Sequence, residues 1–282
     1  MKRQRYVAPA REAVDPTVFA APPLADWCEF DAWLHGPHWP AIDELNARRT
    51  DASMPRFALQ DAALLADGLH YEQRIAERGL VATRERNWHD LFNALVWLRH
   101  PTLKAALNRR QVQEIARMGP RQRSRPQCAM THFDEAGVLV RVSDPALLAL
   151  WDAHDWHGLF WRERSAWHDG RIAVAVFGHA LLEHALTPGK LLVGKALVFE
   201  AGRDLSMTDL AQAAATAISA SRALADPLEL RPLPLSGIPG WHPDNGEEAF
   251  HREAPCYQPL RAGRRYPPPL HMATDSGMRA LR

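Results

Sequence analysis

Cysteine and lysine are both scarce in this chain. Its three cysteines lie far apart and form no C-x-x-C pair, which argues against a disulfide scaffold and a cysteine-rich zinc module and favours a reducing compartment. Lysine occurs only at positions 2, 104, 190 and 195, so 30 of the 34 basic residues are arginine. This bias is typical of an arginine-rich genome, although arginine also binds phosphate and carboxylate groups in a bidentate manner.

The chain also lacks a long apolar run and an excess of either charge. Its longest apolar stretch, residues 172–178, ends at His179, well short of the ~20 residues that span a bilayer. The N-terminal residues contain prolines and charges where a signal peptide would need an apolar core. The 34 basic residues balance 33 acidic ones, which excludes a strongly basic nucleic-acid-binding tail. We therefore expect a soluble cytoplasmic protein with no membrane partner, and the sequence contains no strong signal for nucleic-acid binding.

Helical periodicity dominates the 282 residues, and the strand signals are few. Residues 87–99 place Trp88, Leu91 and Leu95 on one face, and a partner helix is predicted over residues 102–118. End signals also predict one long helix from Asp61 to Gly79 and another that Ser206 begins, over residues 206–225. Two strands are predicted at 128–133 and 138–142, joined by a turn at 134–137 that begins with Asp and ends with Gly. The fold class that follows is α+β and predominantly helical, with a small antiparallel hairpin.

Proline marks both ends of the chain. Residues 1–23 are predicted to be an extended segment and residues 24–226 a single globular domain. Ten of the 22 prolines fall in residues 227–282, which predicts an arm that wraps the body or is partly disordered. Because the chain has ten tryptophans as well, any protein partner is expected at a Trp-rich or Pro-rich surface.

The first candidate site is on the predicted helix over residues 87–99. Helical spacing puts His89 and Asn93 one above the other, so His89 is a candidate general base or metal ligand that Asp90 or Asn93 orients. A structural interpretation is also open, because Asn87 is a candidate N-cap and Asp90 would close its capping box.

The second candidate is the adjacent carboxylates Asp134 and Glu135 near the end of a predicted strand. Carboxylates in such a position often bind divalent metals. A plain hairpin turn would select Asp134 and Gly137 as well, and this interpretation is favoured.

The third candidate is the segment of residues 177–184. His179 and Glu183 are four residues apart, so on a helix both could bind one ion. The segment contains neither H-E-x-x-H nor H-x-x-E-H, and a surface contact between His179 and Glu183 would explain the spacing equally well.

Arginines are concentrated between residues 109 and 125, where only Glu114 opposes them. A solvated helix face that continues into a basic loop is the simpler explanation. The alternative is a strip that binds phosphate, in which Arg121, Arg123 and Arg125 would contact the substrate.

Several of these segments resemble a known family. Residues 71–75 (YEQRI), 87–95 (NWHDLFNAL), 133–138 (FDEAGV), 177–180 (FGHA) and 237–241 (GIPGW) together are similar to a bacterial family catalogued as domain of unknown function 3025. The resemblance extends from about residue 25 to residue 260. It implies one single-domain bacterial protein that contains all three polar segments, and it implies no catalytic role for any residue.

Two hypotheses of different class follow. In the first, the protein is a metal-assisted hydrolase with phosphoesters as candidate substrates. One divalent ion is bound by His89, Asp134, His179 and Glu183. Asp90 orients His89, and Asn93 and the arginine strip contact the substrate. In the second, the protein is a non-catalytic binding or scaffold protein whose His and Asp side chains are structural hydrogen-bond partners. Ligand atoms that converge on a common point would favour the first.

Overall fold

The computed structural model describes residues 6–119 and 122–271. A mixed β-sheet organises the second half of the chain, with its first four strands in the order β4-β3-β5-β6. These are β3 (Gly137–Val142), β4 (Ile172–Val176), β5 (Val193–Glu200) and β6 (Arg231–Pro234). Strand β3 is antiparallel to β4 and parallel to β5, and β6 is antiparallel to β5. A two-residue strand β7 (Leu270–His271) adds in parallel to the far end of β5.

A second, two-stranded sheet lies in the first half of the chain. It pairs β1 (Arg56–Leu59) with β2 (Leu80–Thr83) in parallel. Two short helices, α3 (Ala62–Leu65) and α4 (Tyr71–Arg78), connect these strands. Helix α4 ends at Gly79, whose φ of +64° is the left-handed conformation that glycine adopts at a helix C-terminus. The sequence predicted one long helix with the same C-terminus.

Three helices that follow one another directly in the chain contribute most of the side chains of the site described below. Helix α5 (Trp88–Arg99) is buried along most of its length and is followed directly by α6 (Pro101–Met118) and then by α7 (Arg125–Ala136). The remaining helices are α1 (Asp31–Leu34), α2 (Ile42–Ala47), α8 (Pro145–Asp152), α9 (Ser165–His168), α10 (His179–Ala185), α11 (Met207–Ser219) and α12 (Glu248–Glu253). In the described ranges, none of the helices is both long enough and apolar enough to cross a bilayer.

The fold is thus mixed and mostly helical, as predicted, but the predicted antiparallel hairpin is wrong. Residues 128–133 belong to helix α7, and residues 134–136 are its last turn rather than a hairpin turn. The Ser124 side chain caps this helix in a reciprocal capping box with Gln127. The box satisfies two backbone N–H groups that have no partner within the helix, and it is a signal for the start of a helix rather than of a strand. Strand β3 begins immediately after α7 and pairs with two strands that are distant in sequence.

The predicted terminal segments have local structure. Residues 11–13 and 16–20 form single turns of 3₁₀ helix within the N-terminal segment. In the C-terminal segment, β6 extends the central sheet, and Leu233, Leu235 and Ile238 are part of the hydrophobic core. Residues 1–5 and 272–282 of the two segments lie outside the described residues. The division of the chain at residues 23 and 226 stays a prediction.

Candidate metal centre

A polar cleft of about 440 Å³ lies between α4, α5, α6, α7 and the first turn of α10. Each of the helices α5, α6 and α7 contributes side chains at intervals of three or four residues, which places them on one helix face. The lining side chains that matter below are Tyr71, Glu72, His89, Asn93, Trp97, Lys104, Asn108, Gln111, Asp134, Glu135 and His179.

Two imidazoles and one carboxylate meet at one end of this cleft. The Nε2 atoms of His89 and His179 are 3.1 Å apart, and the rings meet nearly edge to face at 76°. A carboxylate oxygen of Glu135 lies 3.6 Å from the same Nε2 of His179. One potential ligand atom from each of the three residues lies within 4.8 Å of the other two.

These separations fit a tetrahedral metal site. Ligand atoms about 2.0–2.1 Å from a tetrahedral zinc ion lie about 3.3–3.4 Å from one another. The distances of 3.1 Å between His89 and His179 and 3.6 Å between His179 and Glu135 lie on either side of that value. Two of the three pairs of ligand atoms thus have nearly the spacing of a tetrahedral site, and the third pair, His89 and Glu135, lies within 4.8 Å.

The second ring nitrogen of each histidine faces a separate carboxylate. Nδ1 of His89 is hydrogen-bonded to Oε2 of Glu183 at 3.0 Å. Nδ1 of His179 lies 3.8 Å from Oδ2 of Asp134 and makes no hydrogen bond among the described residues. Metal-binding histidines commonly pair their other ring nitrogen with a carboxylate, which fixes the tautomer and the ring orientation. Glu183 thereby directs Nε2 of His89 at the common point.

The protonation states of the site follow from its burial and its charges. Burial lowers the pKa of His179 to about 3, so this imidazole is neutral at pH 7, which is the form that binds metals. The hydrogen bond with Glu183 raises the pKa of His89, and burial raises the pKa of Glu135. Burial alone would also raise the pKa of Asp134, but Lys104 and the two histidines lower it by more.

A glycine contact brings α10 against the end of α7. A Cβ atom on Gly178 would lie 2.4 Å from the backbone nitrogen of Gly137 and 2.5 Å from Cα of Ala136, so only glycine allows this approach. The backbone N–H groups of Phe177 and Gly178 both donate to the carbonyl of Gly137. Helix α10 starts at the next residue, His179, which therefore lies beside the last turn of α7.

The structure separates the roles that the sequence assigned to the metal ligands. His89 and His179 lie together, as the hydrolase hypothesis requires, and Glu135 is the carboxylate beside their Nε2 atoms. Asp134 and Glu183, which we expected to bind the ion directly, face the opposite ring nitrogens instead. The hydrolase hypothesis assigned the ligand role to Asp134 and not to Glu135, whereas on the last turn of α7 it is Glu135 that lies beside Nε2 of His179.

The predicted orienting and substrate residues are distributed differently. Asp90 does not orient His89; its carboxylate accepts hydrogen bonds from the backbone and guanidinium of Arg84. Asn87 caps α5 as predicted by accepting from the backbone N–H of Asp90. Asn93 lines the cleft, where its amide donates to the Tyr71 hydroxyl at 2.8 Å.

Of the arginine strip, the structure brings only part to the cleft. Arg123 is among the lining residues. Arg125 forms an exposed ion pair with Asp226 and is not among the residues that line the cleft. Arg121 lies outside the described residues.

Lysine 104 is a central group of the site that the sequence analysis did not single out. Its buried ammonium donates to Asp134 Oδ1 at 2.6 Å and to Asn93 Oδ1 at 2.9 Å. Lys104, Asn108 and Gln111 share one face of the predicted partner helix and are buried. This spacing could have indicated a buried polar site, because polar side chains on a buried helix face need hydrogen-bond partners.

Comparison with known proteins shows a family and no close relative. No curated protein and no solved structure matches the chain. A family model described as "Protein of unknown function (DUF3025)" matches residues 55–261, a range that contains every residue of the cleft discussed above. The chain therefore belongs to the DUF3025 family.

Proposed function

We propose that this protein is a metal-dependent hydrolase of the bacterial cytoplasm. One divalent ion is bound by Nε2 of His89, Nε2 of His179 and the carboxylate of Glu135. The observation that carries the proposal is the direction of the two imidazoles: their Nε2 atoms lie 3.1 Å apart beside Glu135, and each Nδ1 faces a carboxylate of its own. The low cysteine content supports the location.

Three protein ligands leave a fourth position for water, as in catalytic zinc sites. A bound divalent ion lowers the pKa of that water toward neutrality and polarises a substrate oxygen. Glu183 would keep the imidazole of His89 in place. Arg123, which lines the same cleft, favours an anionic leaving or transferred group such as a phosphoester.

Metal binding is the first test. Metal-free protein titrated with Zn²⁺ or Mn²⁺ is expected to bind one ion per chain, and His89→Ala, His179→Ala and Glu135→Gln are expected each to weaken this binding by at least about 100-fold. The exposed His168 provides a matched control, since His168→Ala removes an imidazole far from the cleft. Binding of less than one ion per chain that none of the three changes affects would refute the metal site.

Hydrolysis is the second test, with the zinc- or manganese-loaded protein. Bis-p-nitrophenyl phosphate and p-nitrophenyl acetate serve as phosphodiester and carboxylic-ester probes. We expect metal-dependent release of nitrophenol from the phosphate probe and a higher KM in Arg123→Gln, because that change removes a cation from the cleft. If Arg123→Gln loses activity on the phosphate probe but not on the acetate probe, the result would support phosphoesters as the substrate class. A fully metal-loaded protein that is inactive on both probes would contradict the hydrolase.

A non-catalytic structural role is the second candidate, and one observation favours it. A chain of hydrogen bonds through Glu183, His89 and His179 connects α5 to α10 without any ion. If that is its function, His89→Ala and His179→Ala should lower the stability of the metal-free protein, and metal should not increase the stability of the unaltered chain. Stabilisation by Zn²⁺ in a thermal unfolding assay would exclude this purely structural role.

A further inference from the structure

The cleft continues well beyond the metal centre. His89, Asn93 and Trp97 follow one another at four-residue intervals on α5 and all line it. With a rise of 1.5 Å per residue, Trp97 lies about 12 Å along the helix from His89. The cleft is thus long enough for a substrate whose reacting bond is at the histidines and whose remaining part extends toward Trp97.

Three hydrogen-bond donors at the Trp97 end are not fully used. The indole N–H of Trp97 is buried and makes no hydrogen bond of normal length among the described residues, although it lies near enough to the Tyr71 hydroxyl to lower the pKa of that group against the effect of burial. The hydroxyl of Tyr71 accepts from Asn93, which leaves its own proton available. Lys104 directs two N–H bonds at Asn93 and Asp134 and has a third.

Acceptors line the same end. Oε2 of Glu72 accepts from the amide of Asn108 at 2.6 Å, which leaves Oε1 of Glu72 and Oδ1 of Asn108 as acceptors. Gln111 donates through its amide nitrogen to Gln127 and Thr131, so its carbonyl oxygen is available too. Apolar side chains lie between these polar groups, namely Ile75, Leu107, Ile115 and Met130.

This end of the cleft has little net charge. The ammonium of Lys104 is neutralised by Asp134 at 2.6 Å. Burial raises the pKa of Glu72 and thus favours its uncharged form, although the hydrogen bond from Asn108 opposes this. An anion would meet the carboxyl groups of Glu72 and Asp134 here, and Lys104 is already paired with one of them.

We propose that the Trp97 end of the cleft is a recognition subsite for an uncharged planar ring with donors and acceptors on its edge, such as a nucleobase. Mixed donors and acceptors match such an edge, and the apolar side chains match the faces of a flat ring. Buried polar groups of this kind discriminate strongly against a ligand that leaves them unpaired. The orientation of the scissile bond toward the histidines rests on the proposed function, whereas binding of the ring does not.

Nucleosides test the subsite separately from the metal centre, because they carry a base and no phosphate. Adenosine, guanosine, cytidine and uridine are titrated by saturation-transfer NMR into the metal-free full-length protein, with methyl β-D-ribofuranoside as the sugar-only control. We expect at least one nucleoside to bind with a Kd of about 1 mM or tighter and the riboside to bind at least about tenfold more weakly. Failure of all four nucleosides, or equal binding of the riboside, would overturn the proposal.

Variants locate the binding. Trp97→Phe removes the indole N–H and keeps an aromatic ring, and Gln111→Leu removes an acceptor near the edge of the cleft; each is expected to weaken nucleoside binding by about tenfold. Arg125→Gln, on the exposed ion pair, is the matched control and should have no effect. Unchanged binding in both cleft variants would place the nucleoside elsewhere and refute the subsite.

The two proposals fail separately in these experiments. His179→Ala should abolish metal binding and leave nucleoside binding unchanged. Nucleoside binding without any metal binding would refute the proposed function alone, and metal binding without nucleoside binding would refute the subsite alone.

Discussion

The ion pair between Lys104 and Asp134 allows a quantitative test of how the cleft is stabilised. The Lys104 side chain is 4% exposed and that of Asp134 is 21% exposed, and their charged atoms are 2.6 Å apart. Lys104→Met keeps the aliphatic volume but leaves the Asp134 carboxylate without its cation. Removing one partner of a buried pair typically costs about 3–5 kcal/mol. Because Asp134 keeps some contact with solvent, we expect a loss of about 2–4 kcal/mol in the free energy of unfolding.

A double-mutant cycle isolates the pair from the packing of the lysine stem. The metal-free variants Lys104→Met, Asp134→Asn and their combination are unfolded with urea at pH 7. We expect the double variant to be more stable than the sum of the single losses implies, by about 1.5–3 kcal/mol. Additive losses, within about 0.5 kcal/mol, would refute our reasoning that the two charges are coupled.

An exposed ion pair in the same chain provides the comparison. Arg125 and Asp226 have side chains that are 65% and 32% exposed, and pairs of this kind contribute about 0–1 kcal/mol. The same cycle with Arg125→Met and Asp226→Asn should therefore give a coupling below about 1 kcal/mol.

The pH dependence of the coupling between Lys104 and Asp134 also has a definite sign. Because the pKa of Asp134 is lowered in the folded state, its coupling is present above about pH 4 and is lost as the pH falls through that lowered value.

Three further predictions concern stability. Gly178→Ala places a Cβ 2.4 Å from the backbone nitrogen of Gly137 and should cost at least about 2 kcal/mol in urea unfolding; a loss below 0.5 kcal/mol would show that this contact relaxes easily. Burial lowers the pKa of His100 to about 4, so this residue should contribute about 1–2 kcal/mol to the decrease in stability between pH 6.5 and pH 4 as the unfolded chain takes up the proton, and His100→Gln should remove that contribution; an unchanged pH dependence would contradict it. Asn87→Ala removes the side-chain acceptor for the backbone N–H of Asp90 and should cost about 1 kcal/mol, whereas Asn87→Asp should cost less; equal losses would show that the cap contributes nothing.

Helices with strong end signals could be predicted from the sequence. Gly79 ends α4, Asn87 caps α5 and Ser206 caps α11, each at or beside the predicted position. These signals act between residues a few positions apart, so the local sequence contains all the information that they need. The single long helix predicted before Gly79 is two short ones, separated by the non-helical residues 66–70. Gly68, with a φ of +68°, has the left-handed conformation that interrupts a right-handed helix.

Strands were harder to predict because their pairing is not local. Strand β3 pairs with β4 and with β5, whose partner residues lie some 30 to 60 positions further along the chain. Residues 128–133 are apolar enough for a strand, but Ala129, Met130 and Phe133 are the buried positions, a spacing that suits a helix face. The capping box at Ser124 and Gln127 was the local signal that would have favoured the helix.

The sequence alone determined that His89 and Asn93 share one helix face, that His179 and Glu183 lie one helical turn apart, and that carboxylates occur at 134 and 135. Only the tertiary structure decided which of these groups meet. The close contact of Gly178 with the junction of α7 and β3 brings two histidines 90 residues apart into contact and selects Glu135 for their Nε2 atoms. Helical periodicity specifies the direction of a side chain on its own helix, whereas the distance between two helices depends on packing and strand register across the whole domain.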